Sequence, residues 1–367
     1  MLRLAPWDNA EATRWDEIVA SFDEGTAYHS WAWMEATARL KNARMMPFGI
    51  WDGSELAGVL PAFAIRRGPL RQISCCPGGA GYGGPLVRGM YQQLFAEQMD
   101  ALWRALRADF VEFHSQQPLP RAALDGKRYQ IQEFQTIVIS LEPGPEALWA
   151  QLDGDCRTGV RKARKSGITV SEVSDDGFLD AYYEMSKQTW GRSNRPPVYS
   201  RRDLSIIWDT LRPHERVRAF AAWLEGRMIA AAFVLCFNGR LYGLDRAGLR
   251  EYYRLKPNNL IDWTIMEWAA LQGMRSLDMM GANIAGIAQY KSVYGGQTQS
   301  YLAVRKDMTY AGQIGRHLYL WLVPRWRCFR FSLQRRRASA GGESSAGNPS
   351  REPVDESQHS MSSLRSV

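Results

Sequence analysis

In the stretch GANIAGIAQYKSVYGG, residues 281–296, one cation stands alone. Lys291 lies between Tyr290 and Tyr294, glycine brackets both ends, and the segment holds no carboxylate. An ammonium without a local counter-charge can hold an anion delivered by a substrate, or offset charge developing on a reacting oxygen. It can also pair with a carboxylate that the fold brings from elsewhere. A second group of cations follows Asp153. Arg157, Arg161, Arg164 and Lys165 fall at i, i+4, i+7 and i+8, with Lys162 beside them. On a helix that spacing gathers four charges on one face. Such a face suits phosphates or RNA, and an ordinary solvated face fits the same pattern. A third candidate is the glycine-rich run CCPGGAGYGGP, residues 75–85, whose one large side chain is Tyr82. Glycines let a backbone approach a ligand closely. Tyr82 is therefore placed as a wall of an acceptor pocket, with a flexible surface loop as the alternative. Trp190 and Arg195, in TWGRSNRPPVY, occupy a long connection that could cover a cleft.

These residues need elements to position them, and the chain repeats its elements. Phe48-Gly-Ile-Trp51 and Phe220-Ala-Ala-Trp223 each precede a turn ending in glycine, Gly53 and Gly226, and a second apolar run. Each reads as a β-hairpin. Residues 105–113 and 270–278 then each end a helical pattern and open a strand. The order hairpin, helix, strand occurs twice, which predicts a duplicated α/β domain with one copy ending near residue 150 and the other near 310. Between them, Asp153 or Asp155 is placed to cap the basic helix and Gly167 to end it.

Composition narrows the function classes. The 367 residues suffice for two domains and carry a formal charge of +8. Residues 338–367 hold Arg351 and Arg365 against Glu343, Glu352, Asp355 and Glu356, so the first 337 residues carry +10. That excess suits an anionic partner or simple solubility. The opening MLRLAPWDNAEATRWDEI turns acidic before an apolar core forms and reads as no secretion signal. No run approaches a membrane span. The five cysteines form no CxxC pair and read as reduced cytoplasmic thiols. HExxH and GxSxG are absent, which leaves metal and serine-hydrolase chemistry without support. Residues 311–337 interleave aromatics, leucines and arginines, as a membrane-surface segment or a terminal helix packed on the body would. Residues 338–367 read as a disordered tail.

The order of these features is that of a known group. A basic helix RTGVRKARKSG precedes an Ile-Thr-Val strand; KPNNLIDW opens a helix; LDMMGA ends a strand; YKSVYGG follows. Over about residues 5–310 the chain resembles the FemAB-like branch of the GNAT-related transferases. That branch includes peptidoglycan-bridge aminoacyltransferases and cellulose- or exopolysaccharide-associated acetyltransferase-like proteins. The resemblance implies an α/β (α+β) fold of two tandem GNAT-like domains, 1–150 and 151–310, each a mixed, mostly antiparallel sheet flanked by helices. It implies transfer of an acyl or aminoacyl group to an amine of a cell-envelope precursor. No tightly bound cofactor is implied; the donor is aminoacyl-tRNA or acyl-CoA. The stretch Tyr253–Asn259 lacks the glycines of the usual acetyl-CoA loop, and Pro257 removes a backbone donor. No long helical insertion is evident.

In the family the lysine of the aromatic-Lys-x-x-x-Gly motif lies near the substrate phosphates, which implies substrate contact for Tyr290 and Lys291. Asp278 and Gly281 match the end of the preceding strand, and Asn258 matches the helix start. Asp278 is the candidate to take the proton of the acceptor amine, a turn-capping or arginine-paired aspartate being the alternative. Asn283 is added because an amide can bind a sugar or peptide group. Arg161, Lys162 and Lys165 complete the expected substrate contacts. The expected partners are a nucleotide-sugar, lipid-linked or polysaccharide precursor, with tRNA and the inner face of the cytoplasmic membrane as further partners. A catalytically silent docking protein at the membrane, an acyl-CoA-dependent acetyltransferase for exopolysaccharide sugars, and a basic RNA-binding module remain alternatives.

Overall fold

Both copies of the repeated pattern enter one sheet in the computed structural model, which describes residues 1–79, 81–191, 195–318, 321, 322 and 325. The first copy runs β1 (Leu2–Pro6), α1 (Ala12–Ala20), α2 (Trp31–Lys41), β2 (Arg44–Asp52), β3 (Glu55–Arg67), β4 (Leu70–Ser74), β5 (Leu86–Val87), α3 (Gln92–Ala105), β6 (Phe110–Ser115) and β7 (Gln130–Ser140). Two helices follow, α4 (Gly144–Gln151) and α5 (Gly154–Lys165). The second copy runs β8 (Thr169–Val173), α6 (Leu179–Gly191), α7 (Arg201–Leu211), β9 (Val217–Leu224), β10 (Arg227–Phe237), β11 (Arg240–Gly248), α8 (Pro257–Leu271), β12 (Ser276–Asp278), α9 (Ala285–Ser292) and β13 (Gln297–Asp307). The remainder of 311–337 and the tail at 338–367 lie outside the described residues, as do Ala80 and residues 192–194.

Local chemistry sets the boundaries. Both expected hairpins close on two-residue loops. Asp52 faces Glu55 across Gly53 and Ser54, and Leu224 faces Arg227 across Glu225 and Gly226. Glu225 and Gly226 both take positive φ, 51° and 77°, the backbone that matches the twist of a tight hairpin. Asp153 caps α5 by accepting from the Asp155 N–H, and Gly167 ends that turn at φ 80°. Ser200 and Asp203 form a reciprocal capping box on α7.

The strand order is β1-β2-β3-β4-β6-β13-β7-β12-β11-β10-β9-β8, with β5 attached to β3. It reads the same from either end once each strand is matched to its counterpart. Parallel pairs also correspond: Gln72–Ser74 lie beside Phe110–Glu112, and Arg240–Tyr242 beside Ser276–Asp278. The last strands are exchanged. β13 of the second copy lies against β6 of the first, and β7 of the first lies against β12 of the second. Arg305↔Gln130 through Gln297↔Val138 joins the two exchanged strands.

Three apolar cores follow. Helices α4, α5 and α8 cover one face of the second copy through Leu148, Val160, Ile261 and Met266. Helix α3 covers the first copy through Phe95, Met99 and Trp103. The third core is shared, joining Trp15, Tyr28 and Phe63 to Tyr182, Ile207 and Phe233. Each large side chain buried there contributes roughly 1.5–3 kcal/mol over leaving it exposed, so the copies are held by packing as well as by strand exchange.

Candidate functional site

The parallel strands β11 and β12 stay paired only as far as Tyr242↔Asp278. β11 then continues to Gly248 while β12 stops, and the strands part. The opening forms a cleft of about 490 Å³, lined by β11, the starts of α5 and α8, the end of α6, and α9. The corresponding opening in the first copy is closed. There the chain beyond β4 keeps to β6 through Cys75 N–H to Glu112 O, 3.0 Å, and returns with Gly83 N–H to His114 O, 3.3 Å. A Cβ on Gly83 would stand 2.4 Å from Cys75 O, and one on Gly84 2.6 Å from His114 O. The glycine run is therefore a plug of bare backbone. This corrects the expectation for Tyr82, which is 1% exposed and faces the shared core rather than the cleft. Its hydroxyl donates to Asp278 Oδ2 at 2.6 Å.

A bulge selects what the cleft receives. Phe233 faces Asp245 and Val234 faces Gly243, so Leu244 is the extra residue on β11. The bulge advances the alternation by one. Tyr242 and Leu244 face the shared core before it, and Ala247 and Leu249 face it after. Asp245 turns the same way and accepts from the Tyr182 hydroxyl of α6 at 2.9 Å. It is partly buried and lines the cleft. Burial pushes its carboxyl up to about 6, while the Tyr182 hydroxyl, the Arg246 N–H and the Arg246 charge hold it down. Arg246 turns to the other face and pairs with Asp262 of α8 at 2.9 Å. Burial alone would lower that guanidinium; the Asp262 charge overrides it and the result is raised. The Tyr290 hydroxyl donates to the same Asp262 oxygen at 2.9 Å and meets Tyr294 at 3.0 Å.

Lys291, on α9, lines the cleft floor and is 4% exposed. Its ammonium donates to the Met280 and Gly281 carbonyls, the latter at 2.8 Å. The expected lone cation is thus partnered within the protein, by backbone oxygens that a search for carboxylates does not reveal. Burial, with the nearby Arg246 charge, lowers its pKa to about 7 against the opposing pull of Asp278 and Asp262. Gly281 serves through its carbonyl. Asp278 is 3% exposed and outside the cleft lining. It accepts from Tyr82, from Thr136 Oγ1 at 2.5 Å and from the Met280 N–H at 2.7 Å. Burial raises its pKa. With three donors engaged, Asp278 is a rivet between the copies, which corrects its expected place as the proton acceptor. Asn283 accepts from the Gln135 N–H at 2.8 Å and clips the loop onto β7, so its carbonyl is committed.

The start of α8 borders the cleft. Leu260 is the first residue there whose N–H finds a helical carbonyl, Lys256 O at 3.4 Å. The N–H groups of Asn258 and Asn259 lie in the unpaired first turn, and both residues line the cleft. Gly159 of α5 lets this end approach closely: a Cβ there would meet Asn259 Cγ at 3.2 Å. Trp190, at the end of α6, also lines the cleft; Arg195 is exposed. The basic face of α5 does not line it. Arg157 donates to the Ala150 and Leu152 carbonyls, Arg161 stacks over Trp149 at 5.5 Å, and Arg164 pairs with Glu267 at 3.6 Å. Lys162 and Lys165 are exposed. Cys156 is the cleft thiol, and burial pushes its pKa up to about 11, so it stays protonated near neutrality. Sequence reasoning missed Asp245, Tyr182, Arg246 and Asp262. The available signal was the charged pair Asp245-Arg246 inside the apolar strand LYGLDRAG.

The profile of the acetyltransferase (GNAT) domain family matches residues 153–292, the part of the chain that carries the cleft. No curated protein matches the sequence. Among solved structures, FemX aligns over 87% of this chain and 99% of its own at 15% identity, with a TM-score of 0.67. A tandem GNAT protein from the clavulanic acid biosynthesis pathway aligns over 84% of this chain and 99% of its own at 12% identity, TM-score 0.53. The C-terminal domain of a lysylphosphatidylglycerol synthetase-type protein from Agrobacterium fabrum aligns over 85% and 98% at 13% identity, TM-score 0.53. At these identities the likenesses are of fold, and the fold is a tandem GNAT-like architecture.

Proposed function

We propose that this chain, whose residues 153–292 form a GNAT acyltransferase domain, moves an acyl or aminoacyl group onto an amine of a cell-envelope precursor, with Asp245 as the base. One observation carries the reading. A cleft carboxylate with its pKa near 6, oriented by Tyr182, stands where the strands part and α8 begins. A general base works best with a pKa near the operating pH.

Asp245 takes a proton from the acceptor ammonium and leaves a neutral amine. The nitrogen lone pair attacks the donor carbonyl carbon, forming the C–N bond. The C–S bond of a thioester or the C–O bond of an ester breaks, the leaving sulfur or oxygen takes up the proton that the attacking nitrogen sheds, and Asp245 returns its own proton to solvent. Among the described residues no strand pairs with β11 on its cleft side beyond Tyr242; there the Gly248 N–H donates to Thr189 Oγ1 at 3.4 Å and the Arg246 N–H supports the Asp245 carboxylate. The N–H groups of Asn258 and Asn259, at the positive end of the α8 dipole, suit the phosphates of acyl-CoA or of a tRNA terminus. The high pKa of the Cys156 thiol argues for direct transfer without an acyl-enzyme. FemX and the lysylphosphatidylglycerol synthetase-type protein support the cell-envelope class by name.

Mass spectrometry tests this. Purified protein is mixed with acetyl-CoA, longer acyl-CoAs or aminoacyl-tRNAs, and with nucleotide-sugar or peptidoglycan-precursor acceptors. The expected result is an acceptor mass gain with one donor class, lost in Asp245→Asn. No gain with any donor, while precursor binding persists, would favour a non-catalytic docking protein.

A further inference from the structure

A short helix after β13 has no part in the cleft, and its glycines fix which way it faces. Residues 310–318 are helical, as are 321, 322 and 325. The Met308 and Thr309 N–H groups both reach Asp109 O, at 2.8 and 3.2 Å, and Thr309 Oγ1 donates to Asp109 Oδ1 at 2.9 Å. A Cβ on Gly312 would stand 2.2 Å from Asp109 O, and one on Gly315 2.1 Å from Leu70 Cδ1. Arg316 makes two bonds to Asp307, 2.9 and 2.7 Å, and lies over Phe110 at 5.5 Å. Positions 309, 312, 315 and 316 therefore form the inner face, clamped to the starts of β4 and β6. The apolar stripe points outward. Tyr310, Ile314 and Leu318, four residues apart, are 78%, 48% and 54% exposed; Trp321 and Leu322 continue the spacing at 58% and 51%. This differs from a terminal helix that packs its apolar face on the body. Here glycines pack and the large side chains are left out.

The sequence of this segment indicates its occupant. Residues 308–342 contain seven arginines and no aspartate or glutamate. Arg325 lies over the Trp321 ring at 5.0 Å. Exposed aromatic and aliphatic side chains in a segment whose sequence is rich in arginine match a bilayer interface, where apolar groups enter the acyl boundary and arginines meet lipid phosphates. Tyrosine and tryptophan favour that depth. We propose that this helix seats the protein on an anionic lipid surface, independently of what the cleft transfers.

Vesicle co-sedimentation of the full chain tests this with phosphatidylcholine alone and with added phosphatidylglycerol. Binding is expected only with phosphatidylglycerol, and is expected to weaken at high salt as screening shortens the reach of the charges. Leu318→Asp with Trp321→Ser should lower partition by about tenfold or more through loss of the inserted apolar area. Both side chains are exposed, so the melting temperature and the transfer of soluble substrates should not change. Arg325→Glu should lower partition severalfold. Absence of binding to phosphatidylglycerol vesicles overturns the proposal, as does equal binding by the double variant. A wild-type dimer in sedimentation velocity that the double variant dissociates would also overturn it, because a second copy would then cover the stripe.

Discussion

Tyr182→Phe removes one oxygen from a ring that otherwise stays packed against Phe233, whose centroid is 4.8 Å away. The lost hydroxyl donates to Asp245 at 2.9 Å and favours its charged form. A hydrogen bond to a charged group contributes roughly 1.5–3 kcal/mol, and one pKa unit is about 1.36 kcal/mol. The Asp245 pKa should therefore rise from about 6 to about 7–8. At pH 7 the ionised fraction falls from roughly nine tenths to between about half and a tenth, a loss of ~2- to 10-fold in kcat/KM that closes by about pH 9. Asp245→Asn, with no base at any pH, should lose on the order of 10²- to 10⁴-fold. The assay is the pH dependence of kcat/KM with the donor that the mass screen identifies, for wild type and both variants. An acid limb whose midpoint is the same in Tyr182→Phe as in wild type refutes the assignment. So does an Asp245→Asn enzyme within about threefold of wild type across the range.

Lys291 links stability to pH. Its folded pKa is near 7 against 10.5 unfolded, so between those values the unfolded chain holds the extra proton and stability rises with pH. The slope from this one group is about 1.36 kcal/mol per pH unit, with the penalty fully present below pH 7. Lys291→Met should flatten that slope in urea unfolding at pH 7, 8 and 9, and equal slopes in the two proteins would count against a lowered folded pKa for Lys291. Gly84→Ala, with its Cβ 2.6 Å from a backbone oxygen, should destabilise by about 2 kcal/mol or more, read as a lower urea midpoint. An unchanged midpoint would mean that the glycine run is loose rather than a plug.

The repeat was legible because hairpins announce themselves locally, through glycine at a turn between apolar runs. The exchange of β7 and β13 was not, since neither strand carries a mark of which neighbour it joins. Asp278 shows the same limit. Its residue type fits a base, but its donors Tyr82 and Thr136 lie 196 and 142 residues away in sequence. The basic face of α5 looked uncompensated because its partners, Trp149 and Glu267, belong to other helices. Lys291 was rightly seen to lack a carboxylate in its own segment, yet backbone carbonyls are invisible in a search by side-chain type. Asp245 was missed because a one-residue bulge, absent from any period-two pattern, decides which face it takes.

A strand order that reads alike from both ends gives the sheet a pseudo-two-fold axis where β13 meets β7. The two halves are equivalent in topology and unlike in what fills them: one opening holds glycine backbone, the other a cleft and a carboxylate. The filled half braces the open one, since its Tyr82 holds the Asp278 rivet.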